Sequence, residues 1–182
     1  MRMYTMRQTS IMIFVFECSL EAIAIRSCLE YWGMHIEMYY IGQPKDFVQI
    51  VNNRVKQDHY ILLVGHGNDK GFLLPELSSE LNPSQPFTGC ITPADVRDHL
   101  SFKNNVVIST ACMTGNTEMA DAFLEVGASI YIGPDGYPDG DSALYYMLSL
   151  YYSLHHTGLS IKQSHSVARS PDKETALFRM YS

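Results

Sequence analysis

Two apolar patterns take turns along this chain. Short unbroken runs rich in β-branched and aromatic residues are followed by stretches in which apolar residues recur every three or four positions. An unbroken run suits a strand buried on both faces of a parallel sheet, and the longer period suits an amphipathic helix. Residues 11–16 (IMIFVF) read as the first strand. Ser19 stands in a capping position, and the helix after it runs to about Trp32. Ile25, Cys28, Leu29 and Trp32 share a face there, and Gly33 occupies the C-terminal cap site. Residues 35–41 (HIEMYYI) form a second strand. Pro44 opens a second helix with Phe47, Ile50, Val51 and Val55 as its stripe. Tyr60–Val64 is the third strand.

The same alternation continues to the end of the chain. Residues 71–74 read as a short strand or hairpin arm, and 76–89 as a polar loop containing Pro83 and Pro86. Thr92 caps a helix with Pro93 at its first position and Asp95 in its first turn. A fourth strand over 106–110, a helix over 117–126 and a fifth strand over 129–132 come next. A long aromatic helix (142–156), a last helix (160–168) and a polar tail close the chain. Strand and helix in turn predict an α/β fold: a three-layer sandwich, with a mostly parallel sheet covered by helices on both faces. With no internal repeat and no linker, a single domain over residues 1–182 is expected.

Composition narrows the function classes. A chain of 182 residues that is 46% hydrophobic buries a sizeable core without disulfides or metals. The formal net charge is -6 and no block of Lys and Arg stands out, which argues against nucleic-acid and anionic-membrane partners. Cys18, Cys28, Cys90 and Cys112 form no CxxC pair and no zinc-type spacing with His, so no metal site is expected. The apolar run at 11–16 is too short for a secretory leader, and no segment reaches the ~20 apolar residues of a membrane span. The expectation is a cytoplasmic protein with reduced thiols.

Two strands end in residues that carry chemistry. ILLVGHG (61–67) delivers His66 between Gly65 and Gly67, and VVISTACMTGN (106–116) delivers Cys112. Reacting groups in an open parallel sheet gather at the carboxyl ends of the strands, so these side chains are expected to stand together. A thiol of ordinary pKa (~8.5) is mostly protonated at neutral pH. A neighbouring imidazole takes that proton and later passes one to a leaving amine. Gly65 and Gly67 allow close backbone approach, and the N–H groups of Gly67 and Cys112 are candidates to stabilise an oxyanion. Taken singly, a cysteine at a strand end is more often a small hydrophobe, and Gly-His-Gly is a common loop. It is their joint occurrence, after successive buried strands, that points to catalysis.

In these motifs the chain resembles the caspase-like cysteine peptidases, a group that includes caspases, gingipains, separase and CHAT domains. Its members share a strand ending in His-Gly and a later strand ending in a Cys preceded by small residues. The matching segments are LLVGHG (62–67) and VVISTACMTGN (106–116). Residues 129–168 are similar to the strand, acidic loop, aromatic helix, turn and helix of CHAT-like domains, so the resemblance covers about residues 11–168. It implies a His/Cys dyad that forms an acyl-enzyme without metal or organic cofactor. His66 would be the general acid/base, Cys112 the nucleophile and Gly67 an oxyanion donor. The substrate would be a protein or peptide, and a separate protein would supply any regulation.

Separase and gingipain-like members place an acidic residue after the fifth strand to accept a basic side chain. Here that loop is GPDGYPDGD, with Asp135 as the candidate; capping of the long helix is the alternative for Asp139 and Asp141 and the preferred reading for Asp141. The short interval between Cys112 and Ser129 leaves no room for the cleavable linker of caspases, and the loop at 76–89 is the better place for a lid or nick. His155 and His156 read as a solvated helix end and His165 as helix surface, while the tyrosines of 142–156 are assigned to packing. Cys18, at the end of the first strand, is placed where it can face the same end of the sheet, but a buried structural thiol is the preferred reading. Two competing functions are a catalytically silent caspase-like scaffold acting through protein binding, and a nucleotide- or phosphosugar-binding domain. The lack of GxGxxG and P-loop patterns counts against the last.

Overall fold

The structure, a computed structural model, describes residues 9–57 and 59–182; the other positions of the expected domain over 1–182 lie outside the described residues. The elements in chain order are β1 (Ser10–Val15), α1 (Ser19–Tyr31), β2 (His35–Tyr40), α2 (Pro44–Arg54) and β3 (Tyr60–Val64). Three short strands and a helix follow: β4 (Gly67–Asn68), β5 (Gly71–Leu73), β6 (Cys90–Ile91) and α3 (Pro93–His99). The chain continues through β7 (Asn105–Ser109), α4 (Thr117–Glu125), β8 (Ala128–Pro134), α5 (Gly140–His156), α6 (Ile161–Ala168) and β9 (Phe178–Tyr181).

The main sheet has six strands in the order β2-β1-β3-β7-β8-β9. The first five are mutually parallel and β9 runs antiparallel to β8. Alternate residues of the inner strands face opposite ways. Met12, Phe14, Phe16, Ile61, Leu63, Val107 and Tyr131 pack under α2, α3 and α4 through Phe47, Val51, Val96, Met119 and Phe123. Ile11, Ile13, Val15, Leu62, Val64, Ile108 and Ile132 pack under α1, α5 and α6 through Ile25, Leu29, Tyr146, Leu150 and Ala168. Helix, sheet and helix are the three layers expected from the unbroken apolar runs.

Local chemistry fixes several helix ends. Thr92 and Asp95 form a capping box at α3, as do Ser160 and Gln163 at α6. Gly33, at φ 87°, ends α1 in the left-handed region that favours glycine. Three expectations change. Ser19 is the first residue of α1 rather than its cap; Cys18 holds the cap position and the Ser19 hydroxyl donates to the Glu17 carbonyl instead. The polar tail is not irregular, because Phe178–Tyr181 pairs along β8 and Phe178 stacks on Tyr146. His165 is not on the surface: it is 5% exposed, its Nδ1 hydrogen-bonded at 2.6 Å to the Tyr146 hydroxyl. Burial, with Arg169 nearby, pulls the His165 pKa down to about 4. The segment 76–89 contains a single 3-10 turn (Asn82–Ser84) and is tied to α2 through Gln85, which bonds Gln43 and the Lys45 amide.

Candidate active site

The strand order places a topological switch between β1 and β3, since the chain leaves β1 for β2 on one side and returns to β3 on the other. Crevices form at the carboxyl ends of strands at such a point. Cys18 follows β1 and His66 follows β3, and they meet there: Cys18 Sγ lies 3.4 Å from His66 Nε2 and 3.9 Å from Nδ1. Cys112 follows β7, the next strand along. Tyr60 pairs with Val106 and Leu63 with Ser109, so the loops that carry His66 and Cys112 leave neighbouring strands at the same level.

The two loops touch. A Cβ on Gly67 would stand 2.3 Å from the Cys112 carbonyl oxygen and 3.1 Å from the Ala111 Cβ, so only glycine allows this approach. Hydrogen bonds hold His66 from behind. The Asn68 side chain accepts from the amides of Lys70 and Gly71, tightening the β4–β5 turn, and the His66 carbonyl accepts from the Leu73 amide at 2.9 Å. Gly71 is required in that hairpin, because a Cβ there would sit 1.9 Å from the Ile91 carbonyl oxygen. His66 itself is exposed.

Cys112 is held by a buried hydroxyl network. The Ser109 and Thr114 hydroxyls are 2.8 Å apart, Thr114 donates to the Ala111 carbonyl, and the Ala111 amide donates to Ser109. Tyr131 anchors the far side by donating to the Thr114 carbonyl at 2.9 Å. Met113, directly after Cys112, has φ 62°, a left-handed conformation that costs about 1–2 kcal/mol in a non-glycine residue. Its amide donates to the Gly136 carbonyl. That sharp turn, beyond the end of β7 at Ser109, redirects the chain toward α4.

Electrostatics at the site come from α1. Glu21, in its first turn, turns an Oε1 that is shut off from solvent toward the equally sealed hydroxyl of buried Thr110. Burial pushes the Glu21 carboxyl up to about 7, and the adjacent Thr110 hydroxyl offsets part of the rise. Both thiols are raised above the ordinary cysteine value. For Cys112 the main cause is burial; its own N–H pulls the other way and Glu21 adds to the rise. For Cys18 burial leads again, followed by Glu21 and Glu17, with Cys112 contributing last.

Gly67, the residue after His66, therefore lies against Cys112 at the carboxyl ends of the central strands, while the His66 ring meets Cys18. Asp135 lies beside them in the chain fold, its amide bonded to the Leu177 carbonyl, but its carboxylate is engaged at 2.8 Å by Arg179. Asp139 stands at the cap position of α5 without a side-chain capping bond, and Asp141 lies in the first turn. Two residues of the site were not expected. Cys18 is half-buried and touches His66 instead of being sealed in the core. Glu21 was hidden as one polar residue of an otherwise ordinary amphipathic helix. The signal for Cys18 was its position at a strand end; nothing short of the strand order distinguished Glu21. Among the described residues no group of three or more His, Cys, Asp or Glu side chains is placed to hold a metal ion.

No protein-family model and no curated protein matches the sequence. Solved structures do match. The Arg specific cysteine proteinase gingipain R aligns over 92% of this chain at 12% identity with a TM-score of 0.60. Separase, in the Saccharomyces cerevisiae separase-securin complex, aligns over 96% of this chain at 10% identity with a TM-score of 0.63. A complex of Porphyromonas gingivalis RgpB pro- and mature domains aligns over 92% at 13% identity with a TM-score of 0.59. This chain spans 43% of the gingipain R chain and 12% of the separase chain. The fold is the caspase-like cysteine peptidase fold. One of these neighbours is in complex with securin and another is a complex of pro- and mature domains, and among the described residues no helix is long and apolar enough to cross a membrane.

Proposed function

We propose that this protein is a cysteine endopeptidase in which Cys112 is the nucleophile and His66 the general acid/base, cleaving protein or peptide substrates after a basic residue. The supporting observation is the contact between the two loops: Gly67 packs on the Cys112 carbonyl, on adjacent strands, at the sheet edge where ligands bind. In the first step the Cys112 thiol gives its proton to His66 while sulfur bonds to the peptide carbonyl carbon. The N–H groups of Gly67 and Cys112 stabilise the resulting oxyanion. The C–N bond then breaks and His66 returns the proton to the leaving amine. Water, deprotonated by His66, hydrolyses the thioester and restores the thiol. No cofactor enters this cycle. Asp135 serves as the acceptor of the basic side chain only if it first releases Arg179.

A second reading, the catalytically silent scaffold, is favoured by one feature: the thiol in contact with His66 is Cys18, while Cys112 is raised rather than lowered. Alkylation by iodoacetamide from about pH 5 to 9, with Cys18 and Cys112 mapped separately, decides between them. Labelling of Cys112 that persists below neutral pH and is lost in His66→Ala supports the dyad. Cys18→Ser, which removes the competing thiol, is expected to speed that labelling. An ordinary thiol titration at Cys112, unchanged by either substitution, refutes the peptidase and leaves the scaffold.

A further inference from the structure

A cleft of about 540 Å³ opens where α6 passes strand β9 and the start of α4. Lys162, His165 and Arg169 line it from α6 and its C-terminal cap, and Arg179 lines it from β9. Thr117, the first residue of α4, and Tyr181 lie on its wall. Among the described residues that line it none is acidic, in a chain whose formal net charge is -6. A hollow lined by one sign of charge focuses its field and concentrates the opposite ion.

The cations are not neutralised from within the fold. Lys162 sits in the first turn of α6, where the positive end of the helix dipole disfavours an ammonium, and no carboxylate pairs with it among the described residues. Arg169 is part-buried. Its Nη2 donates to the Ala176 carbonyl at 2.6 Å, which holds the guanidinium in place and leaves its charge uncompensated. That charge is felt inside the protein. Together with burial, the larger cause, it pulls His165 down to about 4, and it opposes the rise that burial causes in Tyr146. Arg179 is paired at 2.8 Å with Asp135, which does not line the cleft. The nearby carboxylates are engaged elsewhere: Asp172 accepts from the Thr175 amide, and Glu118, in the first turn of α4, acts on Arg97.

This set of donors selects among anions. One arginine fork matches a carboxylate, whereas a phosphoryl dianion offers three oxygens to several charged donors. Two guanidinium groups, an ammonium and the positive end of α4 at Thr117 converge here. The volume falls in the range of small-molecule sites, about 300–1,000 Å³, which leaves room for the group that carries the phosphate.

We infer that the cleft between α6, β9 and the N-terminus of α4 is a binding site for a phosphoryl group, held by Lys162, Arg169 and Arg179. The site borders the loop after Cys112, because Tyr181 on its wall donates to the Gly115 carbonyl at 2.7 Å. It does not depend on the role of Cys112. Arg179 leaves Asp135 to join the ligand.

The test is calorimetric titration of the full chain, in phosphate-free buffer, with ribose 5-phosphate, ribose, inorganic phosphate and succinate. Saturable binding of ribose 5-phosphate, with none of ribose, is expected, and the ester moves the His165 ring resonances in NMR spectra. Lys162→Gln, at an exposed position, and Arg169→Gln each weaken binding about tenfold or more. Asp135→Asn releases Arg179 and tightens it. Inorganic phosphate bound as tightly as the ester supports the phosphoryl site with free phosphate as its occupant, and a preference for the ester supports it with a phosphorylated small molecule. Absence of binding, succinate bound as tightly as the ester, or an affinity indifferent to Lys162→Gln overturns the inference.

Discussion

Glu21→Gln makes a quantitative prediction about stability. The carboxyl has a pKa of 4.5 when free and about 7 in the folded chain, with burial as the main cause. The sign follows from proton binding. Between these values the folded protein holds a proton that the unfolded chain has released, so stability falls as pH rises through the interval. The shift is roughly 2.5 units, and at about 1.4 kcal/mol per unit it amounts to about 3 kcal/mol. The penalty is absent at pH 4, where both forms are protonated, and complete at pH 8, where both are ionised. Gln does not titrate, so the variant lacks this term, and any cost of placing its amide is the same at all pH values. Urea denaturation of both proteins from pH 4 to pH 8 measures the difference directly. The stability of Glu21→Gln relative to wild type is expected to climb by about 3 kcal/mol across that range. A difference that is flat with pH, or that favours the wild type at pH 8, refutes the assignment of a buried carboxyl whose charge has no compensating cation.

Three further outcomes follow from other contacts. His165 behaves in the opposite sense: its folded pKa of about 4 lies below the free value of 6.5, so stability is lost as pH falls through that window, and His165→Gln flattens the acid limb of a urea-midpoint profile. Gly67→Ala drives a methyl group into the Cys112 carbonyl and separates the two loops; Cys112 labelling or peptide turnover falls by about 10²-fold, the scale set by a misplacement of about 1 Å, and unchanged rates in a folded variant contradict the site geometry. Thr114→Val removes the acceptor for the buried Ser109 hydroxyl and the donor to Ala111, which costs about 1–3 kcal/mol by chemical denaturation and leaves the midpoint unchanged only if the network is not formed.

Much of the scaffold was legible because buried parallel strands announce themselves as apolar runs. Residues 11–16, 60–64 and 106–110 all fall on strands of the main sheet, within a residue or two at their ends. Thr92 was legible as a cap because its hydroxyl, Pro93 and Asp95 form a local unit needing no distant partner. His165 was misplaced because a histidine in a polar helix gives no sign that Tyr146, from another helix, covers it. The strand at 178–181 was missed for a similar reason: four residues carry little periodic signal, and β8 supplies the ladder that makes them a strand. β4 and β6 are shorter still and exist because Gly71 lets β5 lie against Ile91.

The sequence by itself determined the chemistry available at the strand ends: a histidine between two glycines and a cysteine among small residues, each following a strand that hydrophobic burial fixes locally. Tertiary structure decided which of those ends are neighbours. The order β2-β1-β3-β7 depends on how helices cover both faces of the sheet, a global packing choice that no local pattern encodes. That order put Cys18 against His66, set Gly67 on the Cys112 carbonyl, and buried Glu21 against Thr110. A carboxylate on a helix reads as solvated until the fold closes over it, because the cost of its burial is set by what surrounds it rather than by its place in the chain.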